Sequence, residues 1–210
     1  MVADRFPPHP TGRVIPPAGP GSLLARAEEL HAAALAALTG PDQARGFQAI
    51  ARLTGHLAAT RRAVLPVAAR QAGTGAWLVA ACRAQAGQAE RALRRYGCLL
   101  AGQSRAVRLP PGSVWAQLEQ RLAGYRAAEQ VLLARLDACL SAAEQTRLAA
   151  AYRAVFAAAP TRPHPRCPHT GPLAGPAFRV LALRDRFLDA IDSRPARPPP
   201  ADPGGEPYPP

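Results

Sequence analysis

The sequence predicts an all-α protein, an antiparallel four-helix bundle followed by one or two shorter C-terminal helices. Three observations carry this. Of the 210 residues 48 are alanine, the strongest helix former. Apolar residues recur at spacings of three and four along several long segments, and no segment alternates as a strand does. Glycine and proline punctuate those segments with short breaks, and short connections between long helices make neighbours antiparallel.

The elements follow in order. Residues 1–21 are rich in Pro and Gly without periodicity and read as a disordered tail. The bundle is expected over residues 22–158. Its first helix spans about Leu23 to Leu38, with Ser22 as cap and Gly40-Pro41 as stop. The second spans about Asp42 to Ala72 on a stripe of Phe47, Ile50, Leu53, Leu57, Val64 and Val67, and Pro66 should kink it. The third, about Ala76 to Gln103, carries Leu78, Cys82, Gln85, Ala89, Leu93 and Tyr96. The fourth follows Pro110-Pro111-Gly112 on Leu118, Leu122, Tyr125, Glu129, Leu132 and Leu136. Ser141 and Glu144 form a capping box that opens a fifth helix ending near Ala158. Residues 159–194 hold a Pro-rich segment and a short amphipathic helix, about Ala177 to Asp192, expected to pack on the bundle. Residues 195–210 read as a second disordered Pro-rich tail.

Composition bounds the function. The net charge is +12, and every one of the 26 basic residues is Arg. Such a field promotes weak, salt-sensitive binding to polyanions. Together with abundant Ala, Pro and Gly, however, it is also the composition of GC-rich bacterial coding. The Arg-rich faces (Arg61 and Arg62; Arg91, Arg94 and Arg95) read as solvated, and no aromatic residues interleave them for base stacking. Of the four cysteines Cys82, Cys98 and Cys139 fall inside predicted helices and Cys167 in the Pro-rich segment, with no CxxC pair; buried, reduced thiols are expected, as in cytoplasm. No stretch reaches the roughly 18 apolar residues of a membrane span, so no membrane insertion is expected. No nucleophile–base pair and no Gly-rich phosphate loop is present, so the reading is non-enzymatic.

Three segments carry a family resemblance: His56 to Pro66 (HLAATRRAVLP), Glu129 to Glu144 (EQVLLARLDACLSAAE), and the tail pieces Ala159 to Pro165 (APTRPHP), Leu173 to Pro176 (LAGP) and Asp185-Arg186. Together they resemble bacterial hemerythrin-like (HHE cation-binding) proteins over about Leu23 to Arg194. The resemblance implies a four-helix bundle around two irons, held by several His and two bridging carboxylates in His-x-x-x-Glu pairs. This chain departs from that pattern. His56 keeps its place, but the carboxylate slot of the second helix holds Thr60. The third-helix slot falls on Gln85 or Ala86, and those of the fourth helix on Gly124 and Ala128. In the first helix the slot falls within Leu24 to Glu28, with His31 about a turn away.

A count agrees. A two-iron centre needs roughly five imidazoles plus carboxylates, and only His31 and His56 lie between residues 22 and 158. The expectation is therefore a degenerate member, with no cofactor, that serves as a non-catalytic binding or structural module. A small ligand in a cavity vacated at Gly124 and Ala128 is one possible partner. The alternative is an atypical iron or redox-responsive centre, which requires His31, His56 and carboxylates to converge. His56 otherwise reads as a core histidine bonded to Gln85 or Thr60. Glu129 reads either as reaching solvent at the stripe's edge or as a buried partner of Arg61. His164, Cys167 and His169 in the Pro-rich segment form a weak zinc or copper candidate that lacks a clear fourth ligand.

Overall fold

A computed structural model describes residues 22–71, 75–103, 107, 109–165 and 174–192. The expected tails, together with Cys167 and His169, lie outside the described residues, which are helical with no strand among them. The elements are α1 (Leu23–Thr39), α2 (Gln43–Ala59), a π-helical turn (Thr60–Val64), α3 (Leu65–Arg70), α4 (Ala76–Leu100), α5 (Pro111–Cys139), α6 (Ala142–Ala158) and α7 (Ala174–Ile191).

Caps set most of the starts. Ser22 Oγ accepts the Ala25 N–H at 3.1 Å, and Asp42 Oδ1 accepts those of Ala44 and Arg45 at 2.9 and 3.2 Å. The Ser141–Glu144 capping box is complete in both directions. Gly75, with φ at 76°, turns the chain into α4. α7 starts at Ala174, earlier than expected, and carries Pro176 in its first turn, where a missing N–H costs nothing.

Where Pro66 was expected to kink or loosen the helix, the chain forms a π turn instead of breaking. α2, the π turn and α3 run on as one rod. The Leu65 N–H bonds to the Thr60 carbonyl, five residues back, just before the proline. The widened turn absorbs the ladder bond that Pro66 cannot make. It also keeps Thr60 and Arg61 buried.

Packing follows the apolar stripes. α4 lies along α5, α1 packs on α2 and α5, and α2 packs on α4 and α6. The interior is leucine-rich, with Leu53, Leu57, Leu93, Leu118, Leu132 and Leu136 all nearly inaccessible. Each contributes about 1.5–3 kcal/mol of burial. Ala49, Ala86 and Ala89 sit between them and let the helices approach closely.

The C-terminal segment is clamped by polar contacts. Fully buried Asp185 accepts the Arg162 backbone N–H at 2.9 Å and pairs with His164 Nε2 at 2.9 Å. The Arg162 guanidinium bridges Asp189 and Asp192. Arg62 lies 4.4 Å over the Phe178 ring and donates to the Ala174 carbonyl. Arg62 is thus engaged by the tail, and the expected solvated face at Arg61 and Arg62 is corrected. Among the described thiols only Cys82 is buried; Cys98 is half-buried and Cys139 exposed, which corrects that expectation for these two. No described helix is long and apolar enough to cross a membrane.

Candidate functional site

Four helices bring polar side chains to one point in the core. α1 supplies His31. The rod of α2 and the π turn supplies His56 and Thr60, four residues apart and so on one face. α5 supplies Tyr125 and Glu129 by the same spacing, and α6 supplies Tyr152 from outside. His31, His56, Thr60, Tyr125 and Glu129 are at most 2% exposed.

Glu129 is the hub. Its Oε2 lies 3.2 Å from His31 Nε2 and 2.8 Å from His56 Nε2. Its Oε1 accepts the Thr60 hydroxyl at 2.8 Å and the Tyr125 hydroxyl at 2.5 Å. Tyr152 OH lies 2.5 Å from His56 Nδ1 and fixes that ring. The rings of His31 and His56 meet edge to face at 5.0 Å.

Burial alone would raise the Glu129 carboxyl. The charge of His56 and the hydrogen bonds of both imidazoles outweigh it and hold the group well below the usual carboxylate range. For His31 burial wins over the Glu129 hydrogen bond, and with the nearby charges of His56 and Arg126 it pushes the imidazole down. Burial, then the Glu129 charge, pushes the Tyr125 phenol well up. The same two causes push the Cys82 thiol to about 12, so it is inert as a nucleophile.

The structure brings some expected residues together and separates others. His31 and His56 converge, and Thr60 joins them. Glu129 does not reach solvent, and Arg61 is not its partner: Arg61 pairs with Glu90 at 2.5 Å, both side chains buried. Glu90 also accepts the His164 backbone N–H. His56 bonds to Glu129 and Tyr152 rather than to Gln85 or Thr60. Gly124 and Ala128 are not the inward positions; Tyr125 and Glu129, one residue later on α5, are. Gln85 covers Gly124 so closely that an added Cβ would stand 3.1 Å from its Oε1, so the space expected there is filled. Ala86 is an apolar core residue. His164 is committed to Asp185. The parts of Tyr125 and Tyr152 and the place of Glu129 at the centre of the cluster escaped the sequence reading, although Tyr125 and Glu129 already stood four apart on an apolar stripe.

The donor set decides which metal centre fits. Among the described residues His31, His56 and Glu129 offer ligand atoms that all lie within 4.8 Å of one another. Three ligands are too few for the two irons that the resemblance implies. They are enough for one ion. Ligands about 2.1 Å from an ion stand about 3.0 Å apart at the right angles of an octahedral site and about 3.4 Å apart at tetrahedral angles; Oε2 stands 2.8 and 3.2 Å from the two imidazole nitrogens, nearer the first. Two His and one carboxylate is a donor set used by zinc and ferrous sites. Thr60 and Tyr125 on Oε1, and Tyr152 on Nδ1, are the supporting hydrogen bonds that orient such ligands.

Comparison with protein-family models, with curated proteins and with solved structures yields no match.

Proposed function

We propose that the chain is a hemerythrin-like four-helix bundle that has exchanged a two-iron centre for a one-ion site, and that it acts as a non-catalytic metal-binding module. The closed sequence of contacts, α1 on α2, α2 on α4, α4 on α5 and α5 on α1, supports the bundle. The observation that carries the function is the convergence of His31, His56 and Glu129, with the second carboxylate oxygen and the outer imidazole nitrogen already held by hydroxyls. Zinc or ferrous iron suits this donor set. The test is titration of the full chain with Co2+ as a spectroscopic probe for either ion. A d–d spectrum saturating at one equivalent, lost in His56→Ala and Glu129→Gln, is expected. No saturating spectrum defeats the proposal.

One observation favours a second reading. The members of the cluster hydrogen-bond one another at 2.8–3.2 Å. In that reading it is a buried polar network that fixes the register of the helices. Under it, the wild-type chain shows no metal-dependent rise in melting temperature.

A further inference from the structure

Between α1 and α5, on the outer side of the cluster, runs an open groove of about 500 Å3. Volumes in this range hold small ligands. Its wall is largely apolar, formed by Leu35, Leu122, Ala123 and Ala127, and His31 lies at its inner side. Arg126 lines it as well, and the Arg126 Nε is buried with no hydrogen-bond partner among the described residues. The Nε is closed to solvent, so an incoming acceptor meets the rest of the guanidinium, which has no carboxylate partner among the described residues. The charge of Arg126 is also felt by His31.

We infer that this groove binds a short aliphatic monocarboxylate, with its carboxylate on Arg126 and its tail on Leu35, Leu122, Ala123 and Ala127. A carboxylate matches the N–H edge of a guanidinium in shape and charge. The walls limit the occupant to one negative charge. Glu119 lines the groove seven residues before Arg126, about 10 Å along the helix. On the opposite flank Gln130 Nε2 donates to Glu28 Oε1 at 2.8 Å, which sets a second carboxylate at the rim. A dianion would meet one of these. The site does not require the metal, so it stands or falls separately from the function proposed above.

The test is calorimetric titration of the full chain with butyrate, after EDTA treatment and at constant ionic strength, with butylamine and inorganic phosphate as the other probes. Saturable binding of one butyrate per chain is expected, with no binding of butylamine and weaker binding of phosphate. Arg126→Gln should weaken butyrate roughly tenfold or more. Arg126→Lys keeps the charge and should lose less. Arg121→Gln, which removes a neighbouring surface Arg bonded to Gln88, should change nothing. The His31 ring signals should shift in NMR spectra as butyrate is added. Equal affinity in wild type and Arg126→Gln overturns the inference, as does unsaturable binding, or phosphate binding as tightly as butyrate. A melting curve for each variant confirms folding, and Arg126→Lys supplies the comparison if Arg126→Gln fails to fold. Repeating the series with zinc present should return the same order of variants whether or not zinc binds.

Discussion

The Arg61–Glu90 pair offers the sharpest energetic prediction. The two side chains are 5% and 7% exposed and 2.5 Å apart, where one of the two sequence readings of Glu129 set it against Arg61. Removing one partner of a buried ion pair typically costs about 3–5 kcal/mol, because the other charge stays in the core. Glu90→Leu should therefore destabilise the chain by about that much. In a domain of this size that is a fall of roughly 6–20 °C in melting temperature. It also removes the acceptor of the His164 N–H, so the C-terminal segment should loosen with it. Arg61→Leu leaves Glu90 that backbone donor and should cost less. The double variant replaces the pair by apolar groups of similar volume and should recover most of the loss, short of the about 1–3 kcal/mol that the His164 N–H costs without its acceptor. Urea unfolding followed by circular dichroism measures all four corners of the cycle. A loss below about 1 kcal/mol in Glu90→Leu, or a double variant no more stable than Glu90→Leu, would refute the reasoning. So would stronger coupling of Arg61 to Glu129 than to Glu90.

Three further outcomes are expected. Tyr125→Phe deletes a hydroxyl donated to a buried carboxylate; it should cost about 1.5–3 kcal/mol in urea unfolding and weaken metal affinity by roughly 10- to 100-fold. Stability should fall with pH in two stages: burial holds His31 below its ordinary 6.5, so the unfolded chain takes that proton first and stability declines below about 6.5, while the Glu129 contribution, full above the ordinary carboxyl value of 4.5, is lost as pH falls below it. Urea midpoints from pH 8 to 2 test this, and an unchanged first stage in His31→Gln would contradict it. Gly124→Ala should be neutral or stabilising by up to about 1 kcal/mol, since the atom in its way is the free end of Gln85; a larger loss on thermal unfolding would mean that Gln85 is locked.

Most of the fold was legible because helix boundaries are local. Ser22, Gly75 and the Ser141–Glu144 box act within a few residues of themselves, and the structure places ends near where they point. A disturbance of the helix at Pro66 was legible but not that it is a π turn, since that depends on how Thr60 and Arg61 are held by the core. The site was half legible. His31 and His56 stood out as the only imidazoles in the bundle segment, but which face of α5 turns inward is a question of phase along 29 residues. An ungapped slot count placed it one residue early, on Gly124 and Ala128, and so missed Tyr125 and Glu129. The partners of Glu129 on other helices lie 69 to 98 residues away in sequence, and such pairing is set by helix packing alone. Helix packing likewise sets the choice of Arg61 for Glu90, 29 residues away.

The most direct test of the account is the metal stoichiometry of the purified full chain. After reconstitution with zinc or ferrous iron and removal of excess ion, elemental analysis should give one ion per chain for wild type. It should give none for Glu129→Gln or for His31→Ala combined with His56→Ala, each checked for helicity. Two ions per chain, none in wild type, or one retained in the Glu129 variant would contradict a single site built on His31, His56 and Glu129.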